Sequence, residues 1–474
     1  MICCENRVEF PCYENDLDAF VPEVWARSAL ELLYENMVVA HLVNRQFESE
    51  VANFGDLVHA QRPADSKLRR RTDSTTAASL IQDVNATDVQ VPLDQWMNQT
   101  FVIRPGEMSK SYVDLVQKYL APKMRLMARG IDRILLGRIH EFIGDPADRA
   151  GVLAEMDSAN AYETMVEADK ILNDKNAPTE GRSLILSSDA KSKMLLCDKF
   201  VKASERGDGG TALATAKLGH IMGFDTYMAQ NVNHCHTGAD IALDATTSAY
   251  AAEYASTIAA ADCGVAQGEY CNVAGNDQPT WATAIAGDGT DTVTLNEPLK
   301  YATESGAVVT RYKACAVDAS AQTDTTFAAK YSESITLDGY TANKGPQVGQ
   351  LLSFGNTTVT RHTYTVIEVE AINTTSCKVL LDRPLDLAVA NDAAAYPGPY
   401  GSFCPALCRD ALSLVTRPLA PQNGAGMLTA VQDAYGIGVR VAMQDVINVG
   451  RVVSIDLLAG VAVLDEDQCV VVLA

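Results

Sequence analysis

Between Ser109 and Phe142 the chain carries its strongest periodic signal. Val116, Leu120, Met124, Met127, Ile131 and Ile134 recur at three- and four-residue steps and share one helical face. Lys118, Arg125, Arg129 and Arg133 recur at helical spacing on the opposite face. From Lys110 to Glu141 seven bases oppose three acids, so the segment is locally +4. Pro122 sits inside the pattern and is expected to bend the helix or divide it near Leu120. A basic helix face is most often simply solvated. The chain as a whole, however, holds 38 Lys plus Arg against 60 Asp plus Glu, a net charge of −22. One basic face in so acidic a protein points towards a polyanion.

The 474 residues are 47% hydrophobic and 7% aromatic, which excludes wholesale disorder and supplies several cores. No run approaches the ~18–20 apolar residues of a membrane span, so no membrane partner is expected. The start, Met-Ile-Cys-Cys-Glu-Asn-Arg, lacks a cationic stretch followed by an apolar core, so no secretory signal is expected. The acidic total argues against a protein that coats nucleic acid with its whole surface.

From Phe20 to Phe47 an apolar stripe of Val24, Trp25, Ala29, Leu32, Leu33, Val38 and Val39 follows Pro22, predicting one helix with a short extension. Asp56–Ala60, Val89–Leu93 and Thr100–Arg104 are strand-like. The polar stretch Ala64–Thr76, with Lys67, Arg69, Arg70 and Arg71, has almost nothing to bury. Two strands with such an excursion make a protruding arm that needs another surface to pack on.

Further along, Ala161–Leu172 reads as a helix and Ser183–Ser187 as a short buried strand. Ser188 or Asp189 is placed to cap the next helix. Gly219–Met228 reads as strand. From 236 to 400 the composition turns to Ala, Thr, Gly and Asp, with strands at Thr290–Leu295, Ala307–Tyr312, Gln350–Phe354, Thr363–Val369 and Cys377–Leu381. This stretch holds 8 basic against 19 acidic residues, a net of −11, and reads as an inserted, mainly-β domain with a solvated acidic surface. Thr292-Val-Thr-Leu-Asn-Glu-Pro-Leu is echoed 86 residues later by Lys378-Val-Leu-Leu-Asp-Arg-Pro-Leu, as two related strand-turn units would be. After 400 dense apolar strands return, and with the part before 236 they form one α+β body interrupted by the insert.

No catalytic constellation emerges: there is no G-x-S-x-G, no H-E-x-x-H and no nucleotide-binding glycine motif. Glu368 and Glu370 alternate on a strand as a glycosidase pair would, an arrangement far commoner on a solvated face. His234-Cys235-His236, with Cys263 and Cys271 beyond, is the nearest approach to a metal cluster and reads as a polar loop. The 12 cysteines include no C-x-x-C pair, and free thiols are expected, Cys3, Cys4 and Cys12 among them. No enzyme activity, cofactor or metal site is expected.

In order, the segments are a helix with an N-terminal extension, a basic-tipped β arm, a long amphipathic helix, an α+β core, a β insert and returning core strands. With Phe20-Val-Pro-Glu-Val-Trp, Leu42-Val-Asn-Arg, Gly55-Asp-Leu-Val, Ala411-Leu-Ser-Leu-Val-Thr-Arg-Pro-Leu and Ser454-Ile-Asp-Leu-Leu-Ala-Gly-Val-Ala-Val-Leu, the chain resembles the tailed-bacteriophage major capsid proteins of the Hong Kong 97 fold, in the branch with an inserted β domain.

The resemblance implies an N-terminal arm and helix over 1–49 and an extended loop over 50–105. It implies a peripheral domain with the spine helix and the first part of the axial domain over 106–235, an insert over 236–400, and returning strands over 401–474. It further implies self-assembly into pentamers and hexamers of an icosahedral head around double-stranded DNA, bound without sequence specificity. Scaffold, portal and decoration proteins would be further partners. The virion capsid would be the location, with assembly in the bacterial host cytoplasm. Lys118, Arg125, Arg129 and Arg133 would face the DNA, and Lys67, Arg69, Arg70 and Arg71 would lie on the inter-subunit arm. Because the chain begins almost at the helix, a separate scaffold protein or none is expected. Two competing readings are an encapsulin-like compartment shell and a multidomain hydrolase whose β insert binds carbohydrate.

Overall fold

The computed structural model describes residues 22–45, 57–62, 87–93, 95–104, 119–142, 152–153, 156, 158–202, 215–232, 234–235, 244–261, 265, 267–276, 280–286, 290–295, 299, 301–312, 314–318, 327–328, 332–340, 345–354, 362–382, 384–385, 388–398, 401–417, 419–421, 427–434, 437–446 and 450–474. The backbone divides into two compact units, one from 1–36, 96–127 and 417–458, the other from 37–95, 128–416 and 459–474.

In the first unit, helix α1 (Pro22–Asn36) opens on the proline that tolerates a helix start. Trp25, Ala26, Ala29, Leu30 and Leu33 recur on one face, all buried, and the helix lies against β25 (Met427–Ala434) and β26 (Ile437–Val446). These strands form a meander with β27 (Gly450–Val463), and β3 (Gln95–Ile103) pairs with β27. Trp25 meets Phe101 at 6.2 Å between ring centroids, and Phe101 stacks on Tyr119 at 6.1 Å. Asp456 of β27 takes Arg440 of β26 at 2.6 Å and Asn98 of β3 at 2.5 Å, so one buried carboxylate ties three strands. At Gly450, φ is +123° and a Cβ would run into the carbonyl oxygen of Ile103, so glycine is required there twice over.

The second unit is built on a sheet ordered β4 (Val152–Leu153), β28 (Cys469–Leu473), β23 (Gly401–Leu407), β5 (Ser183–Leu186), β7 (Phe224–Met228) and β6 (His220–Ile221), with β8 (His234–Cys235) also on β23. Strands before 236 and after 400 thus interleave in one sheet. β5 and β28 are buried along their whole length, which is why they read as continuous apolar runs. Helix α3 (Ala161–Asp174) lies on β28. Buried Arg182 holds the following loop to this helix, donating to Asp169, Asn173 and the carbonyls of Ala177 and Pro178. Helix α4 (Ser188–Leu196) is capped by Ser187, whose Oγ accepts the Ala190 N–H, one residue before the expected cap. The stretch expected as one strand from 219 to 228 is a tight hairpin, because Met222 and Gly223 both take positive φ.

Also in this unit, β1 (Leu57–Arg62) and β2 (Thr87–Pro92) form an antiparallel ribbon in register from Leu57↔Pro92 to Arg62↔Thr87. Its base joins a small apolar cluster of Val89, Val91, Leu93, Ala462, Leu464 and Val415 of β24 (Leu412–Arg417). Gly460 lies so close to Pro92 that a Cβ would strike the Pro92 carbonyl oxygen.

The 236–400 segment holds two closed barrels. The first consists of β9 (Asp244–Thr247), β10 (Thr257–Ala261), β11 (Tyr270–Val273), β12 (Thr280–Ala286), β13 (Thr290–Leu295) and β14 (Val308–Tyr312). The second consists of β15 (Cys315–Val317), β17 (Ser334–Asp338), β18 (Leu351–Phe354), β19 (His362–Ala371), β20 (Cys377–Leu381) and β22 (Ala394–Pro397). A separate pair, β16 (Phe327–Ala328) and β21 (Val389–Ala390), accompanies the second.

Numbered in chain order, the six strands of each barrel run 1-2-5-4-3-6 around its wall. The sequence echo falls on the fifth strand of each. Val293 and Leu295 are buried in one core, Val379 and Leu381 in the other. Both fifth strands face a β-bulge in the fourth, between Ala282 and Ala284 and between Val366 and Glu368. The backbone bonds repeat as well. Thr247 N–H donates to Ala307 and Gly306 N–H to Thr247, as Val317 donates to Ala393 and Asp392 to Val317. Gly306 and Asp392 share a positive φ at that turn. The 236–400 segment is thus a tandem structural repeat.

Candidate nucleic-acid interface

The 109–142 segment is described from Tyr119, and its helix α2 runs Ala121–Gly137 before a short 3-10 turn at Ile139–Phe142. Pro122 is the second residue of α2, directly after the π-helical residues Tyr119 and Leu120, where the α-helical bonding is interrupted. Leu120, Met124, Met127, Ala128, Ile131, Ile134 and Leu135 are buried, matching the predicted apolar stripe. Arg125 and Arg129 are exposed, and Arg133 is half-buried. Spaced four residues apart, the three repeat every ~6 Å along the axis. Among the described residues no carboxylate pairs with any of them. Lys118 lies outside the described residues, as do Lys67, Arg69, Arg70 and Arg71.

Asp132 is the only acid within α2, and counting charges along the sequence sets it against the bases. The structure withdraws it from the surface. Its carboxylate is buried and accepts the N–H groups of Val38 at 3.2 Å, Val39 at 3.1 Å and Ala40 at 3.4 Å. These are the first N–H groups of the 3-10 turn Val39–His41, which supplies no side-chain cap of its own. Burial pushes the Asp132 carboxyl up to about 6, against the lowering pull of these three bonds and of Asn231. With Asp132 turned inward, the solvent side of α2 presents Lys123, Arg125, Arg129 and Arg133 without an acid. That face suits a backbone of phosphates, which needs charge and spacing but no base-reading groups.

The other candidates fall elsewhere. His234 and Cys235 pair with Ser402 and Gly401 in the sheet, while Cys271 is part of the first barrel's apolar core. His236 and Cys263 lie outside the described residues. Among the described residues no three His, Cys, Asp or Glu side chains are grouped to hold a metal ion. Cys197, Cys271, Cys315, Cys377, Cys404, Cys408 and Cys469 are free and buried, and burial pushes the Cys404 thiol up to about 11, away from thiolate chemistry. Glu368 and Glu370 are both exposed on β19. The inward role of Asp132 was missed by sequence reasoning, although an acid between Ile131 and Ile134 on an apolar stripe was a visible signal.

No family model matches the chain, and no curated protein matches it. Among solved structures, it is similar to one described as Mycobacterium phage Che8, at 10% identity and a TM-score of 0.41, covering 92% of this chain and 90% of that one. It is similar to a capsid structure of the cyanophage P-SCSP1u at 9% identity and a TM-score of 0.41, covering 89% and 84%. A chain from the mature capsid of bacteriophage PhiM1 aligns at 12% identity and a TM-score of 0.29, over 54% and 81%. TM-scores below 0.5 fix no common fold.

Proposed function

We propose that this chain is the major capsid protein of a tailed bacteriophage, a structural protein without enzymatic activity. Copies assemble as pentamers and hexamers into an icosahedral head of the Hong Kong 97 type and enclose double-stranded DNA. The observation that carries the reading is the acid-free basic face of α2 in a protein of net charge −22, with Asp132 sequestered behind it. A shell meets its genome on one side only, so its charge needs to be basic only there.

Three further features support the reading. The β1–β2 ribbon has a small apolar base and encloses 24 residues between Arg62 and Thr87, as an arm reaching over a neighbour requires. The acidic barrels suit an outward projection, away from packaged phosphate. The interleaved sheet of strands from 152–235 and 401–473 is a body into which an insert can be placed without breaking the core. In this reading 1–49 is the N-terminal arm, 50–105 the extended loop, 106–235 the peripheral and first axial segments, 236–400 the insert and 401–474 the returning strands. Scaffold, portal and decoration proteins are the expected partners, and the virion is the location.

Electron microscopy of the purified full chain, alone and co-expressed with its neighbouring phage genes, tests the reading. Closed shells are expected. A small oligomer that never assembles with any of these partners contradicts it.

A further inference from the structure

Three tyrosines stand out on the first barrel. Tyr250, Tyr254 and Tyr301 are 59%, 71% and 54% exposed. All three lie on one backbone ribbon. Ala251 and Thr303 exchange N–H···O bonds, Tyr254 N–H donates to Leu299, and Leu299 N–H donates to Ala255. Asn276 fixes the Tyr301 backbone through both its N–H and its carbonyl. Tyr254 takes φ +64°, a left-handed conformation in which a bulky side chain is an outlier. Exposed tyrosine at such a position gains nothing from core packing.

The surroundings set the chemistry of what would cover this ribbon. Glu253 and Glu304 are exposed on it. Residues 244–312 contain 2 basic and 9 acidic residues, a net of −7, and one of the two bases, Arg311, is buried beside Glu269. Tyrosine faces beside carboxylates favour arginine and lysine, by cation–π contact and ion pairing. The densest basic run in the chain is Lys67-Leu68-Arg69-Arg70-Arg71, four bases in five residues. It falls between Arg62 and Thr87, so the chain available there can reach at most ~40 Å beyond the end of the ribbon and back. The tyrosines are exposed in the single chain, so a second copy can reach them.

We propose that the Tyr250–Tyr254–Tyr301 ribbon of one subunit is the docking surface for the basic segment 67–71 of a second copy. The proposal takes self-assembly from the reading above, but its binding test does not require shells. A fluorescent peptide of residues 63–75 is titrated into the full chain at low and at physiological salt, and anisotropy is followed. Wild type is expected to bind. Y250S/Y254S/Y301S, which leaves the charge unchanged, is expected to bind at least tenfold more weakly, and so is E253K/E304K. Circular dichroism establishes that each variant is folded, and single Tyr→Ser variants replace the triple if it is not.

Equal binding by wild type and the tyrosine variants, or no binding by wild type, overturns the proposal. In particles, E253K/E304K and R69E/R70E/R71E are each expected to reduce assembly at least tenfold, and their combination in one chain to restore most of it. A combination no better than the worse parent also overturns it. Wild type that binds the peptide but forms no shells contradicts the capsid reading and leaves the docking surface standing.

Discussion

Leu295 and Leu381 occupy the same place in two barrels. Each is buried at the end of a fifth strand, opposite the bulge of a fourth, and each donates its N–H to the carbonyl just before the second strand, Ser256 in one case and Glu333 in the other. Four residues on, Leu299 and Leu385 repeat the relation with Ala255 and Ser332. A fold built twice in this way keeps its two cores separate, and that separation can be measured.

Leu295→Ala is expected to cost about 2–5 kcal/mol through the cavity it leaves. Hydrogen exchange followed by mass spectrometry should then show faster exchange over 244–312 and unchanged exchange over 315–397. Leu381→Ala should show the reverse. Equal acceleration of both barrels by either variant would mean that they unfold as one unit.

Asp132 makes stability depend on pH with a definite sign. Its folded-state value of about 6 lies above the unfolded value near 3.8, so the folded state binds the proton more tightly. This contribution is fully present below about pH 4 and is lost as pH rises through about 6. It amounts to roughly 3 kcal/mol across the window. Denaturation of Asp132→Asn at pH 4 and pH 7 should show that much less pH dependence than wild type. Asp132→Ala, which abandons three N–H groups, should cost on the order of 3 kcal/mol or more at either pH.

Gly460→Ala should loosen the base of the β1–β2 ribbon, because the added methyl strikes the Pro92 carbonyl oxygen. Faster hydrogen exchange over 87–92 and fewer assembled particles are expected, with exchange in the barrels unchanged.

Arg125, Arg129 and Arg133 should contribute phosphate contacts without contributing stability. Changing all three to Gln should leave the melting temperature within a few degrees of wild type. The slope of log K against log salt for double-stranded DNA should fall by ~3. Changing all three to Glu should reduce DNA-filled particles, and unchanged packaging would remove the assignment of this face.

Local pattern made much of this readable from the sequence. The helix at Pro22, the buried strand at Ser183 and the stripe on α2 follow from spacings that one element imposes on itself. The 236–400 segment shows where such reading stops. Eight echoing residues mark the fifth strands, but the closure of each barrel depends on pairings such as Thr246↔Val308 and Ala316↔Ala394, which couple residues far apart in sequence. The basic face was legible as spacing, yet its purity was not. Asp132 counts as a surface acid until the turn at Val39 is seen to need three acceptors. Exposed Tyr254 was equally silent, since nothing in sequence gives its positive φ.

The most direct measurement is electron microscopy of wild type and R125E/R129E/R133E particles produced in the presence of the phage genome. If the chain forms a shell lined by α2, wild-type particles will be closed and dense with DNA, while the variant will give closed shells that are mostly empty. Wild-type protein that forms no closed particles, or variant particles as full as wild type, would contradict that account.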